Sequence, residues 1–170
     1  MKLPPLQPLK TKLPDLDGKL PRIIVDTREQ TPLVFTRLAS EVSTLNTADY
    51  SYSGAEHLFG VERKSIDDLV GCCVGVDRAR FERELVRLRG FRFKRLLVVG
   101  TARAIEEHQY RSRIEPASVI GTLAMIEHRY DVPVVFAETP EDAAMLVEEW
   151  VCWSASELVK TVNHLARRMA

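Results

Sequence analysis

Phe59-Gly60-Val61-Glu62-Arg63-Lys64-Ser65-Ile66-Asp67-Asp68-Leu69 passes from an apolar segment through three charged residues into a helix start. His57 to Val61 reads as strand, and Ser65 opens the helical pattern. A surface loop needs no such setting. Alternation along a strand sends Glu62 and Lys64 to one face of a sheet and Arg63 to the other. A carboxylate and an ammonium therefore stand side by side at a strand end.

That pairing suits metal-dependent hydrolysis of a phosphodiester. The reaction needs a hard divalent cation held by oxygens, an activated water, and positive charge against the negative charge developing at phosphorus. Glu62 can ligate the cation, the carbonyl of Arg63 can add a ligand, and Lys64 can orient the water or neutralise the transition state. A second carboxylate is required from a neighbouring strand. Asp49, in Thr47-Ala48-Asp49-Tyr50 after the strand-like Val42 to Asn46, is the candidate. Carboxylates about 4 Å apart repel by up to roughly 4 kcal/mol at an effective dielectric near 20, a cost that a bound cation explains.

Asp49 with Glu62-Arg63-Lys64 and Asp68 resembles the signature of the XPF-type structure-specific endonucleases: Gly-Asp, a variable gap, Glu-Arg-Lys, then Asp after three residues. Ile23-Ile24-Val25-Asp26-Thr27-Arg28-Glu29 is similar to that family's opening strand, and Arg80-Phe81 with Glu84-Leu85 to its next helix. The resemblance covers residues 21–170, as a nuclease domain behind a flexible Pro-rich arm over 1–20. Two departures stand out. Ala48 occupies the position where the family has Gly, and no tandem helix-hairpin-helix module is expected after the domain.

The resemblance implies an α/β, restriction-endonuclease-like fold with a central mixed sheet flanked by helices. It implies Mg²⁺, with Mn²⁺ as substitute, held by Asp49 and Glu62 with help from Asp26 or Glu29. The implied catalytic set is Asp26, Glu29, Asp49, Glu62, Arg63 and Lys64. The implied substrate is DNA with branches or single-strand/double-strand junctions (flap, fork or splayed arm), cut to leave a 5′-phosphate. It further implies a homodimer through the C-terminal helix, and leaves room for a separate DNA-binding subunit. The alternative is a non-catalytic member that binds DNA structures or stabilises a partner. Degenerate members of the family lose Glu-Arg-Lys, whereas this chain keeps all three.

Each site residue also has a plainer reading. Glu62 and Lys64 could form an ordinary ion pair, worth a few tenths of a kcal/mol up to about one. Ser65-Ile66-Asp67-Asp68 is a capping box, with Asp68 at the third helical position, so Asp68 is open between cap and site. Asp26 and Arg28 could be a simple salt bridge, with Arg28 orienting carboxylates rather than touching substrate.

Composition points to one domain that does not cross a membrane. A length of 170 residues with 45% hydrophobic content can bury a real core, and no apolar run nears the roughly 20 residues of a membrane span. Met1-Lys2-Leu3-Pro4-Pro5 leads into no apolar core of a secretory signal. The three cysteines, Cys72, Cys73 and Cys152, form no Cys-x-x-Cys pair, which favours free thiols in a reducing cytoplasm (at the nucleoid, if the source is prokaryotic) over a disulfide framework or zinc site. His57, His108, His128 and His164 lack ligand spacing.

Zero net charge argues against DNA binding by bulk charge. Distribution answers in part. From Arg78 to Arg95, Arg78, Arg80, Arg83, Arg87, Arg89, Arg92, Lys94 and Arg95 outweigh Glu82 and Glu84, so Arg78, Arg80 and Arg83, with Arg28, are candidate DNA contacts. Helical Arg–Glu pairing three or four residues apart is the alternative use of these arginines.

Strands are expected at Arg22–Asp26, Glu41–Asn46 and His57–Lys64, the last two joined as a hairpin-like meander through Ser53-Gly54. Helices are expected from Ser65 to Val74, broken at Gly75, and from Asp77 to Arg89, with Val70, Cys73 and Val74, then Phe81, Leu85 and Leu88, facing the sheet. Strand Arg95–Val99, a short helix from Thr101 to Gln109, helix Glu115–Arg129 and strand Val132–Phe136 follow, with parallel crossovers. Thr139-Pro140-Glu141-Asp142 starts a final helix. Its stripe of Leu146, Val147, Trp150, Val151, Leu158, Val162, Leu165 and Met169 exceeds one face of a small domain and suggests a subunit contact.

Overall fold

Ile23-Ile24-Val25-Asp26 is buried along its whole length and forms β1 (Ile23–Asp26), an inner strand. The structure, a computed structural model, describes residues 5–11 and 16–169. Parts of the arm expected over 1–20, residues 1–4 and 12–15, lie outside the described residues, as does 170. The remaining strands are β2 (Ser40–Ser43), β3 (Tyr50–Tyr52), β4 (Phe59–Ser65), β5 (Phe93–Val99) and β6 (Val134–Ala137). They form one six-stranded sheet in the order β2-β1-β3-β4-β5-β6. β2 runs parallel to β1, β3 runs antiparallel to both β1 and β4, and β5 and β6 continue parallel to β4.

The hairpin differs from the sequence reading. Glu41–Asn46 was expected to precede β4 in the meander, but β2 is an exposed edge strand, and Tyr50–Tyr52 pairs with β4 instead. Tyr50 and Tyr52 bury their rings to 0% and 4% exposure, and the Ser51 hydroxyl donates to the Phe59 carbonyl at 2.7 Å. Burial of two large rings outweighs the weak pattern of a three-residue strand.

The helices are α1 (Ile66–Gly71), α2 (Gly75–Leu88), α3 (Ala102–Glu106), α4 (Pro116–Tyr130) and α5 (Pro140–Met169). Strand alternation divides the core between two faces. Ile23, Val25, Tyr50, Phe59, Val61 and Leu97 pack with Val147 and Val151 of α5, while Leu96 and Val98 pack with Leu69, Phe81, Leu85, Val119 and Ile126 of α1, α2 and α4. Val74, expected on the inner stripe of the first helix, is 49% exposed because it lies outside both helices in extended conformation.

α5 is 30 residues long, about 45 Å at 1.5 Å per residue. Its first half is buried, whereas Leu165 and Met169 are 52% and 87% exposed. Thr139 caps it, its hydroxyl accepting from the Asp142 amide at 3.1 Å. The described residues of the N-terminal arm lie along this helix. Leu9 is 6% exposed, and Asn163 donates to the Lys10 carbonyl at 3.1 Å. No helix among the described residues is long and apolar enough to cross a membrane.

Candidate active site

The β3–β4 register brings the two expected carboxylates together. Tyr50 is the partner of Val61, so Asp49 and Glu62, one step further along each strand, are cross-strand neighbours. The Asp49 amide donates to the Val61 carbonyl at 3.1 Å, and the Asp49 carbonyl accepts from the Asp26 amide at 2.8 Å. Asp49 Oδ2 accepts from the Arg63 amide at 2.7 Å. Asp49 thus ties β1, β3 and β4 together.

The turn that delivers Asp49 is tight. Ala48 has φ +72°, the left-handed region that costs an L-residue about 1–2 kcal/mol and that glycine adopts freely. Gly60 opposes it: a methyl on Gly60 would lie 3.2 Å from the Ala48 Cβ and 3.0 Å from Leu88 Cδ2. Arg87 Nε donates to Thr47 Oγ1 at 3.1 Å and holds the turn from the side of α2.

Glu62 is 5% exposed, and Lys64 Nζ donates to its Oε1. The Lys64 ammonium also lies 5.5 Å from the centre of the Phe81 ring. Burial raises the Glu62 carboxyl, with Lys64 opposing and the charges of Glu84 and Glu29 adding to the rise. Burial and the adjacent Glu62 charge push the Asp49 carboxyl up to about 8, against the Arg63 amide and Lys64. Burial disfavours the Lys64 ammonium, but Glu62 outweighs it and holds the Lys64 pKa above its ordinary value. Half-buried Asp49, buried Glu62 and one ammonium therefore share a corner that disfavours a second negative charge, so Asp49 keeps its proton until about pH 8.

Asp49 Oδ1 and Glu62 Oε2 accept no hydrogen bond among the described residues. Such a pair of carboxylates matches the donor set of Mg²⁺, which takes one or two carboxylates and keeps water and substrate phosphate as further ligands. Among the described residues no three His, Cys, Asp or Glu side chains converge as a preformed metal cage.

Arg63 turns the other way, as alternation requires. Its Nη1 lies 3.6 Å from Glu29 Oε1, and its Nε is buried without an acceptor. Glu29 also accepts from the Thr31 amide at 2.8 Å. Asp49, Glu29, Arg63 and Lys64, with Arg28, Asp67, Asp68, Cys72 and Arg80, line a cleft of about 360 Å³.

Asp49 lines this cleft and Glu62 does not, and neither does Asp26, the third expected metal ligand. Asp26 Oδ1 accepts from Arg28 Nε at 2.6 Å and the Arg28 amide at 2.9 Å, and its Oδ2 from the Leu45 amide at 2.7 Å and Arg28 Nη2 at 3.2 Å. Burial would raise this carboxyl, but the guanidinium and the amides together hold it below the ordinary value. Four donors engage its two oxygens, the arrangement that the plain salt-bridge reading of Asp26 and Arg28 expects. Asp68 caps α1: its amide donates to Ser65 Oγ at 3.1 Å, and its carboxylate accepts from that hydroxyl at 2.7 Å. Its side chain nonetheless borders the cleft.

Among the expected DNA contacts, Arg28 and Arg80 reach the cleft. Arg78 is bound to Glu82 at 3.0 Å and to the Cys73 carbonyl at 3.2 Å. Glu84, grouped by the sequence reading with the basic ridge, instead acts electrostatically on Glu62 and Lys64. Its position one turn after Arg80 on α2 is the signal that locates it. Burial pushes the Cys72 thiol up to about 11, above the range of activated thiolates.

Residues 25–149 match the family model described as the ERCC4 domain. No curated protein sequence matches the chain. Among solved structures, XPF from Aeropyrum pernix is similar with a TM-score of 0.65 at 21% identity, over 83% of this chain and 68% of that one. XPF from Aeropyrum pernix in complex with DNA is similar with a TM-score of 0.63 at 21% identity, over 81% and 66% of the two chains. At this identity the likeness shows the fold, a restriction-endonuclease-like mixed sheet flanked by helices.

Proposed function

The chain belongs to the ERCC4-domain family, and on that premise we propose that it is a metal-dependent DNA endonuclease acting at branched or junction DNA. The observation that carries the proposal is the placement of half-buried Asp49 and buried Glu62 as cross-strand neighbours whose charges repel. A fold without a cation to hold has no use for that cost. The solved complex of XPF from Aeropyrum pernix with DNA supports DNA as the ligand class. Two copies pairing through α5, and a separate DNA-binding subunit, belong to the same proposal.

Asp49 and Glu62 would hold a divalent cation, Mg²⁺ or Mn²⁺, and its chemistry there would be Lewis-acid polarisation of the phosphate and acidification of the attacking water. The chain's own residues do the rest. Asp49 and Glu62 position the donor oxygens, and the Arg63 amide fixes the Asp49 rotamer. Lys64, charged throughout the neutral range, leaves Glu62 to face the phosphoryl oxygens and stabilises the charge that develops there. Water adds to phosphorus as the P–O3′ bond breaks, leaving a 5′-phosphate and a 3′-hydroxyl. Glu29 positions Arg63, and Asp26 positions Arg28 at the cleft rim.

Labelled flap, fork, splayed-arm and plain duplex DNA incubated with Mg²⁺ or Mn²⁺ test this. Cutting near the junction is expected, with Asp49→Asn and Lys64→Ala each lowering the rate by at least about 10²-fold, the scale of losing one charge-stabilising group. Absence of cutting on every substrate by folded, metal-supplied protein would return the chain to the non-catalytic, DNA-structure-binding reading.

A further inference from the structure

α2 forms a wall of the cleft with Arg80, while a different face of the same helix lines a second groove. There Ala79, Glu82, Arg83, Val86 and Arg89 of the α2 region meet Arg129 and Tyr130 of α4 around about 440 Å³. Glu82 is the groove's one acid, and it is taken by Arg78 at 3.0 Å. Asp131, whose carboxyl also senses Arg89, is bound to Lys94 at 2.8 Å. Arg83, Arg89 and Arg129 have no ion pair among the described residues, and all three are exposed. Arg129 lies 5.6 Å from the Tyr130 ring centre, a cation–π contact at the groove's edge. Val86, 60% exposed, adds an apolar wall.

Three unpaired guanidiniums converging on one groove, in a chain of zero net charge, attract a polyanion whose phosphates lie along a line. We propose that the α2–α4 groove is a second backbone-binding subsite, gripping the sugar-phosphate chain of a DNA arm on a different face of α2 from the acidic cleft. The inference rests on the DNA reading above. It gives the protein a hold on DNA separate from the acidic cleft, and so a means of sensing two arms of a branched substrate at once. Phosphate contacts of this kind position the nucleic acid without reading its sequence.

Fluorescence anisotropy with forked DNA in EDTA, across a salt series, tests it with hydrolysis switched off. The comparison is of the unsubstituted chain with Arg89→Gln/Arg129→Gln and Arg89→Lys/Arg129→Lys. In the glutamine variant the slope of log K against log salt should fall by roughly 2 at unchanged melting temperature, with affinity at moderate salt falling about tenfold or more. The lysine variant should keep most of the slope. An unchanged slope in the glutamine variant overturns the subsite while leaving the nuclease reading in place. Absence of DNA binding by the unsubstituted chain overturns both.

Discussion

At the scale of single residues, Asp49 sets the pH behaviour. Its carboxyl moves from the ordinary 3.8 to about 8 on folding, through burial and the Glu62 charge. Between those values the folded chain retains a proton that the unfolded chain has lost, so stability falls as pH rises through this window and levels off above it. Metal-free protein should therefore melt at a lower temperature near pH 8 than near pH 6, and Asp49→Asn should flatten that slope. Thermal denaturation followed by circular dichroism decides, and an equal slope in both proteins would refute the account of Asp49. The charged run at the end of β4 and the need for a second carboxylate were legible because residue chemistry and strand alternation act locally. The fate of Asp26 was not, because the Leu45 amide that completes its shell is 19 residues away and enters only through the fold. Glu84 stayed hidden because a helix full of Arg–Glu spacings looks like a solvated surface.

At the scale of elements, one buried acid joins α5 to the edge of the sheet. Glu148 is fully buried, and its Oε1 accepts from the amides of Thr36, Arg37 and Leu38 at 3.0, 2.6 and 3.0 Å. This fastens the segment leading into β2, a strand with no buried residue of its own. Glu148→Ala strands three amides and should cost about 3 kcal/mol, read as a lowered urea midpoint. A loss under about 0.5 kcal/mol, the scale of a neutral surface change, would mean that β2 is held elsewhere. Helix starts at Ser65, Thr101, Pro116 and Thr139 were readable from capping chemistry. β3 was not, since three residues alternating Tyr-Ser-Tyr carry too little pattern to separate strand from turn. The consequence was a hairpin drawn with the wrong partner for β4.

At the scale of the whole molecule, the sheet order puts β4 at the centre, between β3, which brings Asp49, and β5, which is covered by α1 and α2. The α/β architecture was recognisable from the alternation of elements and from the Glu-Arg-Lys resemblance together. α5 outruns the domain it packs on, leaving Trp153 65%, Leu165 52% and Met169 87% exposed. Pairing of two copies through this helix predicts a dimer in sedimentation equilibrium that Trp153→Asp with Leu165→Asp converts to monomer. A monomeric unsubstituted chain at micromolar concentration would contradict it. The central claim is that Asp49 and Glu62 together hold one divalent cation. Mn²⁺ binding, followed by the loss of the free-ion paramagnetic resonance signal, tests it most directly on the unsubstituted chain, Asp49→Asn and Glu62→Gln. The account predicts a site that either substitution weakens by an order of magnitude or more, in proteins that remain folded. Equal Mn²⁺ uptake by all three would contradict it.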